Sequence, residues 1–160
     1  MKPISRAFRV LAEQFRQGLT PHEVALTLAV GLCLSVPPVI GTTTILCALA
    51  AVLLRLNQPL IQAVNFLAYP LQLLLLVPYL RLGEWLFREP PTPLSPSKIA
   101  AMARSDLRGT ISSLGTVIWH GAVAWALLSV PMGLALYAIL KPVLVRMQAR
   151  LKRENAPGVA

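Results

Sequence analysis

Ser35-Val36-Pro37-Pro38-Val39-Ile40-Gly41-Thr42-Thr43-Thr44 interrupts a run of 31 residues, Val24 to Leu54, that carries no charge. As one helix that run would extend about 46 Å, against a bilayer hydrocarbon core of about 30 Å. Pro37 and Pro38 remove two backbone donors and push Val36 and Pro37 out of helical geometry. Gly41 permits a left-handed turn. Thr42, Thr43 and Thr44 offer hydroxyls to the backbone so freed, with Thr42 or Thr43 able to cap a second helix. The run therefore reads as two helical pieces, about 21–35 and 42–56, with an irregular joint. At membrane depth such a joint is satisfied by protein or water, never by lipid. Two geometries fit: a re-entrant hairpin returning to its starting side, and one broken crossing. Arms of this length reach only about 20–22 Å, marginal for full spanning.

Signals at both ends support these bounds. Gly18 ends an earlier helix, and Thr20-Pro21-His22-Glu23 reads as a capping box with proline at the first helical position. His22 is expected to be a solvated first-turn residue. At the far end, Arg55 in the last turn complements the helix dipole and can snorkel. Asn57 suits a left-handed C-terminal position, and Pro59 blocks continuation.

Two more uncharged runs, 56–80 and 109–140, contain 25 and 32 residues. Each is long enough to span. The whole chain is 56% hydrophobic and 13% charged, with mean hydropathy +0.65, whereas soluble domains carry about 25% charged residues. Too little polar chain remains to cover these runs as core helices, which excludes a soluble protein. The second stretch, about 60–80, contains Asn65, Tyr69, Gln72 and Pro78, and Pro70 near its centre frees the carbonyl around Phe66. The third, about 110–140, contains Pro131 and Gly133. Trp119, Trp125 and Tyr137 are expected at interfacial levels. Ala25 with Ala29, and Gly31 with Ser35, lie four apart and permit close helix packing.

Fifteen Lys and Arg against six Asp and Glu give a net charge of +9. The basic residues flank the apolar runs, so the expected partners are the bilayer and its anionic lipids, not nucleic acid. Ile4, Phe8, Leu11, Phe15 and Leu19 form one helical face over 4–19, expected to lie on the membrane surface. Glu89 to Pro96 is a stiff proline-rich linker, followed by a short helix of about 96–108. Lys141, Arg146, Arg150, Lys152 and Arg153 make a basic amphipathic tail. The first apolar run is too long for a signal peptide and is expected to be retained.

The organisation expected is an interfacial helix (1–19), a broken-helix core (20–88), a linker with a short helix (89–109), a third membrane segment (110–145) and a basic tail (146–160). The fold class is an all-α integral membrane protein: a broken or re-entrant helix pair, then kinked transmembrane helices, with amphipathic interfacial helices at both termini. If the first stretch returns and the others cross once, both termini are cytoplasmic and 81–108 is outside.

From Thr20 to Trp85 the chain resembles the bacterial membrane domain catalogued as domain-of-unknown-function family 2062. The resemblance is carried by TPHEVALTLAVG, PPVIGTTT, RLN, a mid-helix Xaa-Pro and PYLRLG. It implies a small multi-pass protein of the bacterial inner membrane. Fusions of such domains to glycosyltransferases point to envelope polysaccharide or lipid-carrier metabolism. The family commonly places Asn before the mid-helix proline; here Tyr69 stands there, with Asn65 one turn earlier.

No catalytic constellation is visible. No acid lies within an apolar run, no metal-ligand spacing or phosphate loop occurs, and Cys33 and Cys47 read as small buried hydrophobes. Neither an enzymatic role, a cofactor nor a metal is expected. His120 is the sole side chain inside an apolar run whose ordinary pKa lies near neutral; it is either a titrating group or, more blandly, a neutral ring bonded to a backbone carbonyl. The expected ligand-binding set is Pro37, Pro38, Gly41, Thr42, Thr43, Thr44, Arg55, Asn57, Asn65, Tyr69, Pro70 and His120. The joint, with the dipole of the second piece, would receive an anionic group such as a lipid phosphate. That makes a carrier or lipid-handling protein, acting as a homo-oligomer because so small a wall cannot enclose a path alone. The alternative is a non-catalytic assembly or regulatory subunit of an envelope-biosynthesis complex.

Overall fold

The computed structural model of the 160-residue chain describes residues 13–15, 18–39, 41–92, 95, 97, 101 and 104–154. The described residues form four long helices: α1 (Pro21–Leu34), α2 (Thr43–Leu53), α3 (Gln58–Phe87) and α4 (Leu107–Glu154). Their lengths are about 21, 16, 45 and 72 Å. Helices α3 and α4 are long and apolar enough to cross a membrane; α1 and α2 are shorter apolar helices. Of the expected surface helix over 4–19, residues 13–15 are helical, and Phe15 and Leu19 pack on the buried cluster of Val24, Ala25, Leu60 and Leu144; most of the rest, and most of the short helix over 96–108, fall outside the described residues. Residues 104 and 105 are helical, but the short helix does not reach 108. Asp106 ends it by capping α4, accepting from the Gly109 amide at 2.9 Å.

Helix α1 begins where its capping box puts it. The Thr20 hydroxyl accepts from the Glu23 amide, and Glu23 Oε2 accepts from the Thr20 amide at 2.8 Å. The Thr20 amide and hydroxyl hold the Glu23 carboxyl below the usual carboxylate range. Its small residues face inward: Ala25, Ala29 and Ser35 are buried, and Gly31 lies against Ile61 and Val64 of α3. Both cysteines are buried and free.

The turn after α2 differs from expectation. Arg55, not Asn57, takes the left-handed conformation, with φ 53°. The Arg55 amide bonds the Val52 carbonyl and the Leu56 amide bonds the Ala51 carbonyl at 2.8 Å, the double closure of a Schellman motif. Arg55 thus lies beyond the last turn of α2. Asn57 is extended, and its side chain caps α3 by accepting from the Leu60 amide at 2.8 Å. Asparagine suits either place, but an N-cap acceptor is worth about 1 kcal/mol, and Pro59 fits the first turn, where its missing donor costs nothing.

Helix direction follows from side-chain contacts. Val24 and Ala25 of α1, Leu60 of α3 and Leu144 of α4 form one buried cluster at a common end. Gly83 of α3 meets His120 and Gly121 of α4 near the other. Helices α1 and α3 therefore run together, and α4 runs against both. Helix α2 runs back beside α3, because Gln58 and Gln62 bond carbonyls of Ala48 and Thr44 in descending order. Its Cys47 and Ala51 pack on the Leu26, Val30 and Leu34 stripe of α1. The chain reverses at the joint.

Candidate functional site

The joint between α1 and α2 is non-helical, as its prolines dictate, and Gly41 is left-handed at φ 93°. Residue 37 would have supplied the amide for the Cys33 carbonyl; being proline, it cannot. The Trp125 indole of α4 takes that place, donating to the Cys33 carbonyl at 3.0 Å. Trp125 is thus turned into the bundle, because it answers the acceptor that Pro37 exposes. The Pro37 carbonyl in turn accepts from Gln72 Nε2 at 3.0 Å, and Gln72 is 1% exposed. Gln72 was visible in the sequence as a polar residue in an apolar helix, the signal that should have placed it in the site.

The expected site residues divide into three groups. Pro37, Pro38, Gly41, Thr42, Thr43, Thr44 and Asn65 come together at the joint. The buried Asn65 amide donates to Thr44 Oγ1 at 3.2 Å. Thr42 occupies the N-cap position of α2 but does not cap it with its side chain; its hydroxyl donates to the Val39 carbonyl at 3.0 Å. Gly41, Thr44 and Ile45 are exposed, while Pro37, Pro38 and Thr43 are buried. Arg55 and Asn57 lie at the other end of α2, about 16 Å away, so they do not share a site with the threonines.

Tyr69 and Pro70 form the second outlying pair, exposed on α3. The inward role falls to Asn65 instead. His120 stands apart again, near the far end of α3. Its ring stacks on Phe87 with centroids 4.0 Å apart, and its buried Nδ1 has no hydrogen-bond partner. The expected bond from that nitrogen to a backbone carbonyl is therefore not made. Nearby, Glu84 is 3% exposed, paired with Arg81 at 2.7 Å and accepting from the Thr92 amide at 2.8 Å.

A further polar group closes the opposite end. His22 Nδ1 and the Tyr137 hydroxyl lie 2.8 Å apart across α1 and α4. Lys141 Nζ lies 5.5 Å from the Tyr137 ring centroid. His22 is exposed but bonded, not merely solvated, because the antiparallel packing of α1 on α4 delivers a tyrosine to it.

The family described as "Uncharacterized protein conserved in bacteria (DUF2062)" matches residues 6–153. The chain belongs to this family. No curated protein and no solved structure matches it. The family match extends well beyond the Thr20–Trp85 core that carries the sequence resemblance, and it takes in α4. Within this DUF2062 chain the two features brought together by folding are the joint, propped by Asn65, Gln72 and Trp125, and the His22–Tyr137 contact.

Proposed function

We propose that this chain is a multi-pass protein of the bacterial inner membrane in which α1 and α2 form a re-entrant hairpin, and that the hairpin handles an anionic ligand such as a lipid phosphate. The observation that carries the reading is the first turn of α2, which has no side-chain cap and leaves Thr44 and Ile45 exposed beside the buried Thr43. It lies at the level of Gln62 and Asn65, which bond Thr44, about 6–10 Å along α3. First-turn amides carry partial positive charge and welcome anions. In lipid they must be met by a polar group, and discontinuous helices of transporters use such amides to hold substrates.

Arg55, Lys141, Arg146, Arg150 and Arg153 gather at the end shared by the start of α1 and the last part of α4, and basic excess favours the cytoplasmic face. On this reading 81–108 is outside and the ligand enters between the hairpin and a neighbouring copy. The role is one of holding and passing, not of bond chemistry.

Ile45, the third residue of α2 and 70% exposed, supplies the test. Ile45→Glu places a carboxylate on the amides that would receive the ligand, whereas Ile45→Gln adds similar bulk without charge. In proteoliposomes, transbilayer movement of a fluorescent lipid phosphate should fall at least tenfold for Ile45→Glu and stay within about twofold for Ile45→Gln. Equal movement by wild type and Ile45→Glu would remove the joint as a ligand site. A second reading, an assembly subunit, is favoured by α4 itself. Beyond Leu144 no described residue of that helix is buried, and Arg146, Arg150 and Arg153 are exposed. A stoichiometric partner protein after mild crosslinking would favour it.

A further inference from the structure

We infer that the cleft between α1 and α4 is a second, separate site, which holds one hydrocarbon chain of an anionic lipid with the headgroup at Lys141. The cleft has a volume of about 470 Å³ and is walled by Leu26, Ala29, Val30 and Cys33 of α1 and by Val130 and Gly133 of α4, among others. That volume lies within the range of ligand pockets, roughly 300–1,000 Å³. Gly133 brings no side chain to the wall; a Cβ there would stand 3.4 Å from Cys33 Sγ. From His22 to Leu34 the cleft runs along the whole of α1, about 18 Å, a little over half the depth of a hydrocarbon core. One leaflet of lipid has that reach.

The two ends of the cleft differ in chemistry, and this selects the occupant. At the deep end, around Leu34 and Val130, the lining is apolar. At the other end stand His22 and the Tyr137 hydroxyl, bonded at 2.8 Å, with the Lys141 ammonium one turn further along α4. Among the described residues no carboxylate lies within ion-pair distance of Lys141, and the nearest acid in sequence to His22, Glu23, is engaged by Thr20. A free cation and two hydrogen-bonding groups over an apolar slot one leaflet deep complement an anionic headgroup above an acyl or isoprenoid chain. A neutral helix from another protein would leave the lysine without a counter-charge. The inference rests on the membrane reading above, but it makes no use of the joint.

Native mass spectrometry from nanodiscs of equal phosphatidylglycerol and phosphatidylethanolamine tests it, since retained lipid is counted without any transport. Wild type should retain phosphatidylglycerol over phosphatidylethanolamine at least fivefold. Lys141→Ala should bring that ratio to within about twofold of unity, while Arg108→Ala, at the opposite end of the bundle, should leave it unchanged. Val130→Trp, at a 66% exposed position on the cleft wall, should lower retention of both lipids at least fivefold without shifting the melting point. Equal retention of the two lipids by wild type would overturn the inference. So would loss of preference in Arg108→Ala equal to that in Lys141→Ala, or a second copy of the chain displaced by Val130→Trp in place of lipid. Failure of lipid movement with lipid retention intact would sink the joint and spare this cleft.

Discussion

Replacing Gly83 by alanine adds a single methyl where the backbones of α3 and α4 come close together. That Cβ would stand 2.4 Å from the His120 carbonyl carbon, 2.5 Å from the Gly121 nitrogen and 2.6 Å from the His120 oxygen. All three are backbone atoms, so no rotamer change relieves the contact. Ordinary contact begins near 3.4 Å, so the two helices must separate by about 1 Å, and the dispersion contacts along the crossing weaken together. Overpacking of this kind costs about 1–3 kcal/mol. The alanine returns at most about 1 kcal/mol of helix propensity, leaving a net loss of up to about 2 kcal/mol. At this chain length that is a fall of up to roughly 8 °C in melting midpoint. Gly115, also in α4, has nothing within 4 Å of its Cβ position, so Gly115→Ala isolates the propensity gain and should melt at or above wild type. Cys33 and Cys47, both free and buried, allow unfolding to be followed with a fluorogenic maleimide in detergent. A Gly83→Ala protein that melts above wild type would refute the close crossing.

Three other outcomes are expected in the same assay. Gln72→Leu leaves the Pro37 carbonyl without its donor and should destabilise by about 1–3 kcal/mol; a melting point like that of wild type would mean the carbonyl finds another partner. Trp125→Phe should speed maleimide labelling of Cys33 below the melting transition, because it frees the Cys33 carbonyl at the joint, while labelling of Cys47 changes less; equal acceleration at both would mean general loosening. Arg55→Gly should stabilise by roughly 0.5–1 kcal/mol, since glycine occupies a left-handed C′ position without the Cβ penalty and the Arg55 side chain is exposed. A lower midpoint would show that its charge outweighs its strain.

Much of the first helix pair was legible because its determinants are local. A capping box needs residues three apart, and adjacent prolines break a helix whatever surrounds them. The observed α1 and α2 accordingly end within one to three residues of the bounds expected from sequence. The turn at 54–57 was misread because Asn57 satisfies two local rules at once. Which rule wins depends on the helix that follows it.

The sequence alone determined the class of the molecule: all-helical, with two runs long and apolar enough to cross a membrane, and a first run that cannot stay helical through Pro37 and Pro38. Only the tertiary structure decided which groups answer the broken backbone. Gln72 lies 35 residues from Pro37, and Trp125 lies 92 from Cys33, and no local spacing joins such pairs. It also decided that α1 faces α4 to form a cleft ending at His22, Tyr137 and Lys141. Backbone breaks are set by the chain's own covalent geometry, whereas the donors that satisfy them, and the clefts left between helices, are set by how whole helices pack.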